Sequence, residues 1–342
     1  MLPIAIDVMS GDHPPPEYIA GALSALREDA ALRVILVGDP SLIGARVSSI
    51  PKELRERIEV VPASEVVAMS ESPREAIRRK KDSSMRVAVD LVKSGRAAAC
   101  VSAGNTGALN AIAHFVLKTL PGVERAAIIS AIPAAHGHTH MLDLGANTKA
   151  TPEQLGQFAA MGCIISRDVY GLAAPRIGLL NIGEEDIKGH EVVQAAHVLL
   201  ATSHLNYVGF VEGDDIFSGD VDVVVTDGFT GNVALKTMEG AAALIADRMR
   251  REFHASWLGR LAGLAARPVL RRVAASLDPR RYNGACMVGL TGIVVKSHGR
   301  ADGMAFARAI ITAALAARRG LTAQIAQALA AQGAGTPQGS TT

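Results

Sequence analysis

The chain has 342 residues, with 35 Lys and Arg against 33 Asp and Glu, and it is 49% hydrophobic but only 4% aromatic. A net charge of +2 provides no bulk field for a nucleic acid and argues against that class of partner. The three scattered cysteines, Cys100, Cys163 and Cys286, offer neither a disulfide framework nor a zinc spacing. No apolar run reaches the roughly 20 residues of a spanning helix, and no secretory leader is expected. An Ala/Val/Leu/Ile-rich core with 33 glycines suits parallel strands alternating with helices.

Pro3 to Met9 predicts a first strand, followed by Ser10-Gly-Asp-His-Pro-Pro-Pro16, where prolines suit the first turn of a helix. Asp12 and His13 are candidates for catalysis or for capping that helix, and composition favours capping. Arg33 to Val37 and Ile58 to Val61 read as further strands. Ser72-Pro-Arg-Glu75 has the form of a capping box. The helix it starts is expected to carry Arg78, Arg79, Lys80 and Lys81 and to close at Gly95. Four consecutive cations are either a solvated face or a dock for an acidic partner.

Ala97 to Leu109 reads as an apolar strand, the turn Ser102-Ala-Gly-Asn-Thr-Gly107 and an apolar helix. Ala126 to Ile132 is another strand. His136, His138 and His140 then read as a variable polar loop, since no carboxylate or cysteine pattern completes a metal site. Asp143-Leu-Gly-Ala-Asn147 is a strand end with glycine at the turn, and Thr151-Pro-Glu-Gln starts a helix. Arg176 to Leu180 is a strand ending in Asn181 to Gly189, a loop with Glu184, Glu185, Asp186 and Lys188.

Tyr207 to Val211 leads to the stretch around which the chain is organised, Asp222 to Lys236. Val223 to Val225 predicts a strand buried on both faces. Thr226 to Asn232 carries two glycines, and the pattern turns helical from Val233. Unpaired N–H groups and the helix dipole make such a helix start an anion site, to which Lys236 adds a charge. The turn at 102–107 repeats this grammar, and ligands of α/β sheets sit beyond strand carboxyl ends. The two loops are therefore expected to share a cleft.

In His254 to Ala275, Trp257, Leu258, Leu261 and Leu264 occupy one face and Arg260, Arg267 and Arg271 another. Pro268 predicts a break, hence two short helices in a hairpin protruding at about 252–280. Such a face suits a lipid interface or packing on the body or another subunit. Met287 to Val295 reads as one strand before Lys296-Ser-His-Gly299, and Met304 to Ala317 as a helix. Residues 1–330 are read as one α/β domain and 331–342 as a disordered tail.

Taken in order, eight motifs resemble the bacterial phosphate acyltransferase (acyl-ACP:phosphate acyltransferase) family: Ile6 to His13, Arg78 to Met85, Ser102 to Leu109, Leu142 to Asn147, Leu180 to Gly189, Asp222 to Lys236, Tyr282 to Ala285 and Val295 to Gly299. The resemblance implies a three-layer α/β/α sandwich with a mostly parallel sheet, similar to phosphate acetyltransferase and isocitrate or isopropylmalate dehydrogenases. It implies transfer of a fatty acyl group from acyl carrier protein (ACP) to inorganic phosphate for phospholipid synthesis, without cofactor or metal. The acyl phosphate would serve a glycerol-3-phosphate acyltransferase downstream. A homodimer, peripheral at the inner face of the cytoplasmic membrane, is also implied. Ser10 and Asn283 stand where the family usually has glycine, which bears on local turn geometry.

Phosphate is itself the nucleophile in such a reaction, so positioning and oxyanion stabilisation are the chemistry required. Lys188 and Asn232 are the expected central pair. Asn105, Thr106, Gly107, Thr230 and Gly231 would hold phosphate, with Asp143, Asn147 and Asp227 orienting them. Lys236 and His298 are further candidates, His298 as proton donor to the thiolate. Arg78 to Lys81, or the Arg260, Arg267 and Arg271 face, would meet an acidic carrier. A nicotinamide-dependent dehydrogenase would want a Gly-x-Gly-x-x-Gly fingerprint, which is absent; a non-enzymatic membrane scaffold would not need these polar loops.

Overall fold

A computed structural model describes residues 2–334, apart from 186 and 277. Its strands are β1 (Ile4–Asp7), β2 (Val34–Gly38), β3 (Ile58–Pro62), β4 (Ala99–Ser102), β5 (Ala127–Pro133), β6 (His138–Leu142), β7 (Ile177–Leu180), β8 (Tyr207–Val211), β9 (Val223–Val225), β10 (Ala285–Val288) and β11 (Ile293–Lys296). The helices are α1 (Pro15–Glu28), α2 (Pro40–Val47), α3 (Lys52–Arg55), α4 (Pro73–Arg79), α5 (Ser84–Lys93), α6 (Thr106–Leu117), α7 (Pro152–Ile164), α8 (Glu191–Ala201), α9 (Gly228–Ala255), α10 (Trp257–Ser276), α11 (Gly303–Arg318) and α12 (Leu321–Ala334).

The strands form one sheet in the order β3-β2-β1-β4-β11-β10-β5-β6-β9-β7-β8. Pairing is parallel from β3 to β11 and again from β6 to β8, with antiparallel pairs at β11–β10, β10–β5 and β5–β6. The two parallel groups consequently run in opposite senses. Side chains alternate faces with period two: Ile4 and Ile6 join a core with α1, α7, α8 and α11, while Ala5 joins a second with α5 and α6. Ala234, Leu235 and Met238 of α9 pack on that second core. Covered on both faces, the strands tolerate continuous apolar runs such as Val34–Gly38 and Val223–Val225. The expected three-layer, mostly parallel architecture is observed.

Several local expectations are corrected. The capping-box helix ends at Arg79, where Lys80 leaves helical geometry, and Ser83 caps a new helix by accepting from the Arg86 N–H. Thus Arg78 to Lys81 straddle a helix end rather than decorate a helix. Neither Asp12 nor His13 caps α1. Pro14 occupies the N-cap without a side-chain bond, because proline at the helix start removes a donor that would otherwise need one. Met287 to Val295 is a hairpin of β10 and β11, turned by Gly289 at φ 88°.

The hairpin breaks at Ser256, not at Pro268, so α9 and α10 are long helices of 28 and 20 residues. Ser256 is extended and its hydroxyl accepts from the Gly259 N–H. Gly263 lets α10 approach the Phe253 ring closely. Pro268 sits within an exposed helix. The tail read as disordered begins inside α12, which runs to Ala334, and residues 335–342 lie outside the described residues. Asp186 of the 181–189 loop also lies outside them.

Only His136 of the three histidines lies in an exposed turn. His138 and His140 open β6, and His140 is 1% exposed, its ring tilted against Tyr170 and bonded through Nδ1 to the Ser166 hydroxyl at 2.8 Å. Burial, reinforced by His138, pushes its pKa down to about 3. An unfolded histidine titrates near 6.5, so between about pH 6.5 and 3 the unfolded chain binds a proton that the native state refuses. Stability is then lost as pH falls through that window. Urea denaturation should show wild type losing up to about 1.4 kcal/mol per pH unit more steeply than His140→Met there; equal slopes would contradict this.

Candidate active site

Four loops meet beyond the carboxyl ends of β1, β3, β4 and β11. The Asp7 carboxylate, fully buried, accepts from the Met9 and Ser10 N–H groups at 3.1 and 3.2 Å and from the Ser102 hydroxyl at 2.7 Å. It therefore ties the β1 and β4 loops together. Ser102 in turn accepts from the Gly104 N–H at 3.1 Å. The Tyr18 hydroxyl accepts from the His13 N–H and donates to the Gly299 carbonyl, both at 3.1 Å. Gly11, at φ +136°, is required beneath it, because a Cβ would overlap that hydroxyl. Asn105 caps α6 by accepting from the Ala108 N–H at 2.9 Å, and its amide donates to the Met69 carbonyl at 2.6 Å.

The Asn105 side chain serves only the third N–H of α6, and Leu109 returns to the Asn105 carbonyl. Among the described residues, the N–H groups of Thr106 and Gly107 have no partner. They are exposed and sit where the helix dipole favours an anion.

The α9 start is the opposite case and corrects the expectation of an open anion seat. Asp227 accepts from the Phe229 and Thr230 N–H groups, both at 2.9 Å, and from the Thr230 hydroxyl at 2.8 Å. The Gly228 N–H donates to the Asn147 carbonyl at 2.8 Å and that of Gly231 to the Asp227 carbonyl at 2.9 Å. The protein's own carboxylate fills the place of a bound anion.

Asp143 sits behind this turn. Its two oxygens accept from the N–H groups of Ile128, Gly145, Ala146 and Asn147 and from the Asn147 amide, at 2.7–3.1 Å. Burial pushes its pKa up and those donors pull it down, with burial the larger effect. Gly231 is obligatory, since a Cβ there would overlap the Asp143 carbonyl oxygen. Asn232 faces Gly145, and a Cβ on Gly145 would lie 3.8 Å from its Oδ1.

The expected shared cleft takes another form. Because β4 and β9 run in opposite senses, their loops lie at opposite ends of the sheet. The two strands are also five spacings apart in the sheet, about 24 Å. Helices α6 and α9 pack on the same face of it. Asn110 of α6 donates to the Ala146 carbonyl at 3.4 Å. From α9, Lys236 bonds Glu239 at 2.7 Å and comes close enough to depress the pKa of both His298 and Lys296.

Lys188, on the β7 loop, is half-exposed, 3.9 Å from Glu185, and shares the sheet end of Asn232 and Asp143. Among the described residues no hydrogen bond joins Lys188 to Asn232. A cavity of about 360 Å³ opens beside them, with Leu155, Leu179 and Val193 inside and Lys149, His190, Asp227 and Thr230 among its polar groups.

The His298 loop shows what the Asn283 departure does. The Asn283 amide donates to the Ser297 hydroxyl and the Ala305 carbonyl, both at 2.8 Å, and its oxygen accepts from the His298 N–H at 2.9 Å. Asn283 thus fixes the loop to α11. His298 Nδ1 accepts from the Arg300 N–H at 3.1 Å, which places the proton of the neutral ring on Nε2. Partial burial holds its pKa below the ordinary value, with Lys236 and Lys296 adding to the shift and Glu239 opposing it.

Sequence reasoning missed Asp7, Ser102 and Lys296. Asp7 and Lys296 are charged residues inside apolar strand runs, which is a readable signal; Ser102 resembles any loop serine. Arg78, Arg79 and Lys81 are exposed and Lys80 is partly so. Trp257, Leu258 and Leu261 are 69%, 60% and 55% exposed, and Arg260, Arg267 and Arg271 are exposed beside them. Among the described residues, no cluster of three His, Cys, Asp or Glu is arranged to hold a metal, and no helix is long and apolar enough to cross a membrane.

This architecture is a phosphotransacetylase-like α/β fold. The chain superposes on a phosphotransacetylase from Streptococcus pyogenes with TM-score 0.59 and 16% identity, covering 93% of this chain and 94% of that one. The EutD phosphotransacetylase from Staphylococcus aureus gives 0.58 and 17%, with the same coverage. At such identities the likeness is of fold. Relatives are nearer in sequence: the phosphate acyltransferase of Methylococcus capsulatus is 56% identical over 92% of both chains, and that of Alkalilimnicola ehrlichii 56% over 95% of both. A family profile described as "Fatty acid synthesis protein" matches residues 2–324. The chain belongs to the phosphate acyltransferase family and is an acyltransferase of lipid synthesis.

Proposed function

We propose that the enzyme transfers a fatty acyl group from acyl-ACP to inorganic phosphate by direct attack of bound phosphate on the thioester. The observation that carries this reading is the open α6 start, whose unpaired Thr106 and Gly107 N–H groups follow the end of β4, paired in register with the end of β11 that leads to His298. Phosphate seated there is oriented by fixed dipoles, at no cost of reorganisation during the reaction. Lys188 and Asn232 act from the other half of the sheet on the oxyanion that develops at the carbonyl. Asp143, Asn147 and Asp227 hold the turn that carries Asn232. The neutral His298 ring, with its proton on Nε2, donates to the departing thiolate.

Carrier docking follows from charge and proximity. Pro73, the first residue of α4, packs against Gly107, so the cations of Arg78 to Lys81 lie one helix of seven residues away, about 10 Å. They offer an acidic carrier a foothold beside the phosphate seat. The exposed Trp257, Leu258 and Leu261 face, flanked by arginines, is then left for the surface of an anionic membrane.

Acyl phosphate trapped with hydroxylamine from palmitoyl-ACP and phosphate tests the reaction. Wild type should form phosphate-dependent product, and Lys188→Ala should lose a hundredfold or more, about 2.7 kcal/mol of barrier. Undiminished product in the variant would remove Lys188 from the mechanism, and none from wild type would refute the reaction. For the membrane, Trp257→Asp with Leu261→Asp should abolish cosedimentation with phosphatidylglycerol-containing vesicles. Retained cosedimentation would exclude the hairpin as the anchor.

A further inference from the structure

Lys296 ends β11 and is 8% exposed, a costly place for an ammonium group. Its hydrogen-bond partners are neutral: Nζ donates to the Ala103 carbonyl at 3.3 Å and to the Ser297 carbonyl. An ammonium has three donors, so one remains after these two. Asp7, whose charge is felt at Lys296, is already bonded to two N–H groups and the Ser102 hydroxyl. Asp12, also felt there, lies 4.0 Å from Arg300.

Positive charge is gathered at this place rather than dispersed. Lys236 approaches from α9 and pushes the pKa of Lys296 down, and both lysines do the same to His298, which follows two residues on. Glu239 on α9 is held by Lys236 and is the acidic group facing His298 from that helix. Like charges brought together at a strand end, next to unpaired helix N–H groups, describe a site completed by an anion.

We propose that Lys296 is a further catalytic residue, whose buried ammonium binds a phosphoryl oxyanion together with Lys236. This rests on the acyl-transfer reading above and adds the group that neutralises the anion. Two sources share the chemistry: inorganic phosphate, and the phosphodiester of the carrier's pantetheine arm. Burial holds the Lys296 pKa down at about 8. The ammonium is therefore charged below that pH and loses its proton, and its hold on the anion, above it.

The test compares wild type with Lys296→Met and Lys296→Arg, by initial rates for both substrates at pH 6–9 and by equilibrium titration with inorganic phosphate. Lys296→Met should raise the phosphate KM at least tenfold and erase the fall in phosphate affinity near pH 8. Lys296→Arg, which keeps its charge throughout, should restore part of the affinity and move the fall beyond pH 9. A raised KM for acyl-ACP with unchanged phosphate KM supports the site and assigns it to the carrier's phosphodiester. Both constants, kcat and phosphate binding within twofold of wild type in folded Lys296→Met overturn it. If that variant does not fold, unchanged phosphate affinity and pH dependence in Lys236→Gln overturn it instead. Lys296-dependent phosphate binding by an enzyme that forms no acyl phosphate keeps the site and sinks the reaction.

Discussion

The competition for backbone N–H groups at two helix starts shapes this molecule. Every turn of strand, glycine-bearing loop and helix creates donors that need an acceptor. At α9 the protein supplies its own, through the Asp227 carboxylate and the Asn147 carbonyl. At α6 it does not, because Asn105 reaches past the first two N–H groups to the third. One loop is thus closed into scaffold and the other is left in need of an anion. Ser102 is held to Asp7, which keeps the open loop rigid without filling it.

The antiparallel seam at β10, β5 and β6 gives the second loop its use. Had the sheet been parallel throughout, both helix starts would lie at one edge. With the halves reversed, α9 travels from the Asp143 turn towards the other end of the sheet. Asn232 is thereby left near Gly145 while Lys236 reaches the surroundings of Lys296 and His298. One helix delivers an amide and an ammonium to different parts of the same face. Its far end stops at the extended Ser256, so the residues assigned to chemistry ride on α9 and the surface assigned to lipid on α10, the second arm of the hairpin.

Much of this was legible in the sequence because it is local. The strands at Val34–Gly38 and Val223–Val225, the caps at Ser72 and Thr151 and the glycine turns all follow from short-range chemistry. The strand, turn and helix at 97–109 were legible too, as a repeat of the Asp222 to Lys236 pattern. What misled was context. Asp227 was read as a helper of the anion when it occupies the anion's place, a choice of side-chain rotamer that composition does not reveal. His140 looked polar but is buried by a π-helical turn at Ile165–Val169 and by Tyr170, far along the chain. Pro268 carried more weight than it deserved, since an exposed helix can forgo one backbone bond. The reversed sense of the two halves was out of reach, because it depends on which strands pair across more than a hundred residues.

The most direct measurement is a crystal structure with bound inorganic phosphate, or with tungstate located by its anomalous signal. The account predicts an anion on the N–H groups of Thr106 and Gly107, within reach of Lys296 and His298, with Asp227 still capping α9. An anion on the N–H groups of Phe229 and Thr230, with the Asp227 carboxylate displaced, would contradict it.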